Sequence, residues 1–153
     1  MYFIIIALFM LILPLASIAA EFMWLHTSGD LVALTGKWFA FWGVGMRLGI
    51  AGVRQAFNPA FTAQDIFEID DARVYPIVRE LGFANLALGL LGLLAVLPHW
   101  TPPAALAGGV FFALAGWKHV KAKDRNMTRT VAMVSDLFIA LVLAAYLVLW
   151  LWP

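Results

Sequence analysis

The sequence predicts an all-α fold: a polytopic transmembrane helical bundle of about five spans, with a short amphipathic segment on its inner surface. Three observations predict it. The 153 residues are 64% hydrophobic and 12% charged, with a mean hydropathy of +0.92. A soluble domain carries about 25% charged and about 45–50% apolar residues. Five stretches are long and apolar enough to cross roughly 30 Å of hydrocarbon, which takes about 20 helical residues. Lysine and arginine collect in alternate loops, as successive crossings require. The whole chain, residues 1–153, reads as a single transmembrane helical domain.

The first span is "YFIIIALFMLILPLASIAA", residues 2–20. "ASIAAE" resembles a signal-peptidase site, but the positively charged segment that opens a signal peptide is missing, so the stretch reads as a retained helix. The second span covers residues 38–55, the third 76–97, the fourth and shortest 103–120, and the fifth 130–152. Between the second and third lies "NPAFTAQDIFEIDDARVYP", too polar to span. Its "TAQD" is a weak capping box, and Phe61, Ile66, Phe67 and Ile69 give a short helix an apolar side for the inner surface.

Loop charge sets the orientation. Lys118, Lys121, Lys123, Arg125 and Arg129 share one loop, and Arg73, flanked by Arg54 and Arg79, marks another. "EFMWLHTSGD" and "PHWTPP" carry neither lysine nor arginine. The expected location is the inner (cytoplasmic) membrane, multi-pass, with the N-terminus cytoplasmic and the C-terminus external. Trp24, Trp38, Trp100, Trp150 and Trp152 then fall at the outer boundary and Trp117 at the inner one.

Two arginines inside the second span need holding. Arg47 and Arg54 lie seven apart and therefore on one helix face, while Gly45, Gly49 and Gly52 lie opposite, where a second helix can approach closely. A central arginine facing lipid costs about 2.5–3.5 kcal/mol on insertion scales. Depth suggests Asp136, seven residues inside Arg129, as the partner of Arg47. It suggests Glu80, one turn into the third span, as the partner of Arg54. Such pairs serve either to fix which helices are neighbours or to receive a polar head group. Asn85 shares a face with Gly82, Gly89 and Gly92 and suits an interhelical hydrogen bond.

Other chemistries find little support. A net charge of +1 argues against nucleic acid, and the absence of cysteine excludes thiol and iron–sulfur chemistry. None of His26, His99 and His119 falls mid-span, so haem ligation between helices and a metal centre are not expected. Glu80 and Asp136 are the only carboxylates placed for proton transfer, and arginine neighbours would keep them ionised.

The run from "GVGMRLGIAGVRQAFNPAF" through "VRELGFANLALGLLGLLAVLP" to "FFALAGWKHVK" resembles the DoxX-like group of small bacterial membrane proteins over about residues 40 to 150. Arg47 and Glu80, with Gly82, Gly89 and Gly92, carry the likeness; the extra first span and the long inner loop depart from that group's four-helix pattern. The resemblance implies a helical bundle and an association with a membrane redox complex. Direct thiol work is excluded by composition.

The leading expectation is a small, non-catalytic integral membrane protein. It would bind an anionic or polar-headed amphiphile, lipid or quinone-like, at a cluster of Arg47, Arg54, Glu80 and Asp136 with Asn85. An accessory or assembly subunit of a larger membrane redox complex is the alternative, and a membrane enzyme or small transporter the third reading. No cofactor is expected beyond such a bound lipid or quinone. The expected partners are membrane lipids, further copies of the chain or a membrane complex, and not nucleic acid. A ligand site calls for a cavity bordered by Arg47, whereas an accessory subunit calls for a lipid-facing ridge of small residues.

Overall fold

Helix follows helix along the chain because nearly every apolar stretch is bounded by residues that stop or start a helix. A computed structural model describes residues 2–24, 30–121 and 127–152, and among these the backbone is helical with short connections and no strand. We number the helices α1 (2–24), α2 (31–57), α3 (59–66), α4 (72–96), α5 (101–121) and α6 (127–151).

The starts and stops have identifiable causes. Asp30 caps α2, its side chain accepting from the Val32 amide at 2.9 Å, so α2 begins at Leu31, about two turns before the expected Trp38. Asn58 ends α2 in a non-helical conformation, and its side chain accepts from the Phe61 amide at 3.4 Å to open α3, with Pro59 at the first helical position. The short helix α3 therefore starts at Asn58 rather than at "TAQD", and Thr62 and Ala63 lie buried within it. Asp71 caps the first turn of α4 through the Arg73 amide at 2.9 Å. Leu97 turns extended before Pro98, as a residue preceding proline does. Thr101 Oγ1 then donates to the Ala95 carbonyl at 2.9 Å, satisfying one of the carbonyls left free at the end of α4.

Three helices contain a wide, π-helical turn; in α3 it spans Thr62–Ile66. In α1 it spans Leu8–Ile12 and contains Met10, whose carbonyl the ring of Pro14 would otherwise strike. In α2 it spans Ala40–Met46 and ends directly at Arg47.

Helices α2 and α4 run antiparallel with their backbones touching, and α5 and α6 form the second close pair. Small residues allow the first contact. A Cβ on Gly45 would lie 2.7 Å from the Leu93 nitrogen, one on Gly52 2.7 Å from the Leu86 nitrogen, and one on Gly82 2.7 Å from the Ala56 nitrogen. This is the close approach expected opposite the arginine face. The core is shared by α2, α5 and α6 through Phe39, Val44, Phe112, Ile139, Leu143 and Tyr146. Helix α1 lies along α2 with much of its surface open, including Ile4, Leu11, Ile12, Leu15 and Met23.

Three helical stretches are long and apolar enough to cross a membrane: Ile4–Met23, Ala72–Val96 and Arg129–Leu151. Five spans were expected. The other two long helices are of mixed composition: α2 carries Lys37, Arg47 and Arg54, and α5 opens on Thr101, Pro102 and Pro103 and is rich in glycine and alanine.

Candidate functional site

Arg47 is the first residue after the π turn of α2, and its guanidinium is met from three other helices. Nη2 donates to Asp136 Oδ1 of α6 at 2.7 Å and reaches Ser135 Oγ at 3.4 Å, while Nη1 lies 3.7 Å from Met10 Sδ of α1. The Phe112 ring of α5 lies 4.9 Å from the guanidinium carbon. Ser135 is itself fixed by donating to the Ala132 carbonyl at 2.8 Å. The Asp136 side chain keeps only 6% of its surface exposed and that of Arg47 19%. Two charges so far from water are tolerable because each has the other and further donors or polarisable neighbours close by. Their effect is to set the neighbours and depth of α1, α2, α5 and α6.

The remaining charged residues do not join this pair. Arg54 and Glu80 are exposed, and no ion pair links them among the described residues. The Arg54 guanidinium stacks instead on the Phe61 ring of α3 at 4.0 Å. The reason is register. With Gly52 against Leu86 and Ala56 against Gly82, Arg54 stands near the level of Ala84, about a turn deeper than Glu80. Asn85 is buried on the α2-facing side of α4, where its Nδ2 donates to Gln55 Oε1 at 2.7 Å. Its own Oδ1 is buried without a hydrogen-bond partner.

Both ends of the bundle are tied by contacts the sequence reading did not name. Glu21 of α1 accepts from Lys37 Nζ at 2.5 Å and from Trp38 Nε1 at 2.8 Å. Ser17, one turn below, accepts from Trp42 Nε1 at 2.9 Å. Met10, Ser17 and Glu21 share one helix face by spacing, and that was the available signal. At the opposite end Arg129 lies 3.6 Å from Glu68, a residue with φ of 58°, and Lys118 lies over the Phe67 ring at 5.9 Å. The exposed pair Asp71–Arg73, 2.6 Å apart, holds the Asp71 carboxyl below its ordinary pKa, chiefly through the Arg73 side-chain hydrogen bonds.

Two open grooves mark the surface, and Arg47 lines neither. The first has a volume of about 420 Å³ and runs along the α2/α4 seam. Met46, Ile50 and Val53 form one wall and Leu86, Leu90 and Leu93 the other, with Gly45, Gly49 and Gly89 between them. Gly49 differs from its neighbours in the seam. A Cβ on Gly89 would lie 2.6 Å from Gly49 Cα, but a Cβ on Gly49 would meet nothing within 4 Å. The Gly49 backbone touches Gly89, but the direction in which its side chain would point is open, and that space belongs to the groove. The second groove, of about 310 Å³, lies between α2 and α6 against Val32, Thr35, Val142 and Tyr146.

Among the described residues no three His, Asp or Glu side chains converge to hold a metal ion; His26 lies outside those residues. No curated protein and no solved structure matches the chain. A family model does, over residues 1–152, and on that match the chain belongs to DUF6790, a family of unknown function.

Proposed function

We propose that this is a non-catalytic integral membrane protein that takes an amphiphile from the bilayer into the α2/α4 groove. In this reading all five long helices cross the bilayer, with the N-terminus cytoplasmic and the C-terminus external. Support for the two additional spans comes from their outward surfaces: Ile50 and Val53 on α2 and Leu106, Val110 and Leu114 on α5 are each about half exposed or more. So much contiguous apolar surface needs a cover other than water. The basic inner loops support the orientation.

The observation that carries the binding reading is the open space at Gly49. Every residue lining the groove is apolar or glycine, and its volume falls in the range of small-ligand sites, roughly 300–1,000 Å³. The same geometry moves the site away from the buried charges. Arg47 is already engaged by Asp136, Ser135, Met10 and Phe112, which suits a structural tie. A lipid or quinone-like tail fits the groove better than a catalytic substrate does, because no polar or titratable side chain lines it.

Photo-crosslinking tests this directly. Reconstituted protein is irradiated with a phospholipid that carries a diazirine in its acyl chain, and the adducts are mapped by peptide mass spectrometry. Adducts concentrate at Met46, Ile50, Val53 and Leu90, exceed those at the comparably exposed Leu106 and Leu114, and fall away in Gly49→Leu. Adducts spread evenly over all outward residues would overturn the reading.

A further inference from the structure

We infer that the amphiphile held in the groove carries an anionic head group, bound by Arg79 at the end of the seam next to Phe57. The inference rests on the groove reading above and adds the chemistry of the head. Arg79 lies seven residues before Leu86 and fourteen before Leu93, so it continues the stripe of α4 that walls the groove. At 1.5 Å per residue it stands about 10 Å beyond Leu86. On the other wall, Phe57 lies seven residues beyond Ile50 and is 84% exposed. A chain lying between Ile50 and Leu90 thus leaves the apolar section beside Phe57 and meets Arg79.

The charge there is free for a guest. Arg79 is exposed and takes part in none of the ion pairs among the described residues. Arg54 stands about 100° around α2 from Val53, off the groove wall, and its guanidinium stacks on the Phe61 ring. Glu80 is the nearest acid in the chain and is also exposed, but it points about 100° around α4 from Arg79. Guanidinium groups recognise phosphate and carboxylate oxygens through paired hydrogen bonds. The apolar channel and the cationic end are therefore complementary to an anionic lipid.

A partner transmembrane helix is the rival occupant, and groove length argues against it. The lining runs from Gly45 to Val53 on α2, about 12 Å of helix, against the roughly 30 Å along which a crossing helix would lie.

The test uses vesicles of equal parts phosphatidylglycerol and phosphatidylcholine with identical acyl chains. Wild type, Arg79→Gln, Glu80→Gln and Gly49→Leu are reconstituted, gently extracted, and their retained lipid is weighed by native mass spectrometry. Wild type and Glu80→Gln should retain phosphatidylglycerol roughly fivefold over phosphatidylcholine, the scale of one basic residue at an anionic head group. Arg79→Gln should retain similar total lipid with the preference lost, and Gly49→Leu should lose both lipids. An undiminished preference in Arg79→Gln overturns the head-group inference and leaves the groove reading standing. Full retention in Gly49→Leu overturns both. Wild type carrying another protein chain in place of lipid overturns both in favour of a partner helix.

Discussion

Arg47 Nη2 and Asp136 Oδ1 meet at 2.7 Å across α2 and α6, joining residues 89 positions apart in the chain. Neither side chain reaches solvent freely, and Met10 and Phe112 complete the enclosure. The pair ties α2 to α6, and Met10 of α1 and Phe112 of α5 pack against the same guanidinium.

Breaking that pair on one side is therefore costly. Arg47→Ala and Asp136→Ala are each expected to destabilise the protein by about 3–5 kcal/mol, because each leaves an uncompensated buried charge. The double replacement Arg47→Met with Asp136→Leu should recover most of the loss. Thermal unfolding in detergent, followed by tryptophan fluorescence, reads the difference; equal losses in single and double variants would contradict a paired role.

The seam glycines should separate into two classes. Gly92→Val forces side-chain atoms into the Gly45 backbone and Gly89→Ala into that of Gly49, so both should part α2 from α4 and lower stability. Gly49→Ala meets nothing within 4 Å and should stabilise by about 0.5–1 kcal/mol through the gain in helix propensity. The same unfolding assay ranks the three, and Gly49→Ala behaving like Gly92→Val would show that the groove is filled by protein.

Docking of α1 depends on a short polar ladder, Ser17–Trp42 and Glu21–Lys37/Trp38. The natural chain has no cysteine, so paired cysteines report cleanly. Ser17→Cys with Trp42→Cys should cross-link efficiently through a short bifunctional reagent. Adding Glu21→Ala should reduce the yield several-fold by freeing the outer end of α1.

Acid should loosen the entry to α4. The Asp71 carboxyl is held below its ordinary pKa of 3.8 by Arg73. A depressed pKa in the folded state means its support is complete above that ordinary value and is lost as pH falls through the lower, folded one. Amide exchange at Arg73 and Val74 should quicken across that acid range, and Asp71→Asn should remove the pH dependence.

Much of this was legible from residue type and spacing. The heptad interval of Arg47 and Arg54, the opposite glycine face and the depth of Asp136 follow from 3.6 residues per turn. The end of α4 at Leu97 follows from proline chemistry, whereas the boundary at Asn58 was masked by the capping-box look of "TAQD". What was not legible was pair geometry that depends on the relative shift of two helices. The one-turn offset that separates Arg54 from Glu80 comes from Gly52 seating against Leu86, and no single helix encodes it. The groove was hidden for the same reason: Gly45, Gly49 and Gly52 look alike in sequence, and only the packed seam distinguishes the one glycine that faces open space. The Glu21–Lys37 tie was hidden because a second span starting at Trp38 leaves Lys37 outside it, whereas the helix begins at Leu31.

The most direct measurement is native mass spectrometry of gently extracted protein from its natural membrane, wild type beside Gly49→Leu and Arg47→Ala. A groove that holds an amphiphile predicts a defined small species on wild type, absent from Gly49→Leu, with Arg47→Ala losing stability but keeping that species while folded. A small species that stays on Gly49→Leu and leaves folded Arg47→Ala would contradict the account and return the site to the buried charges.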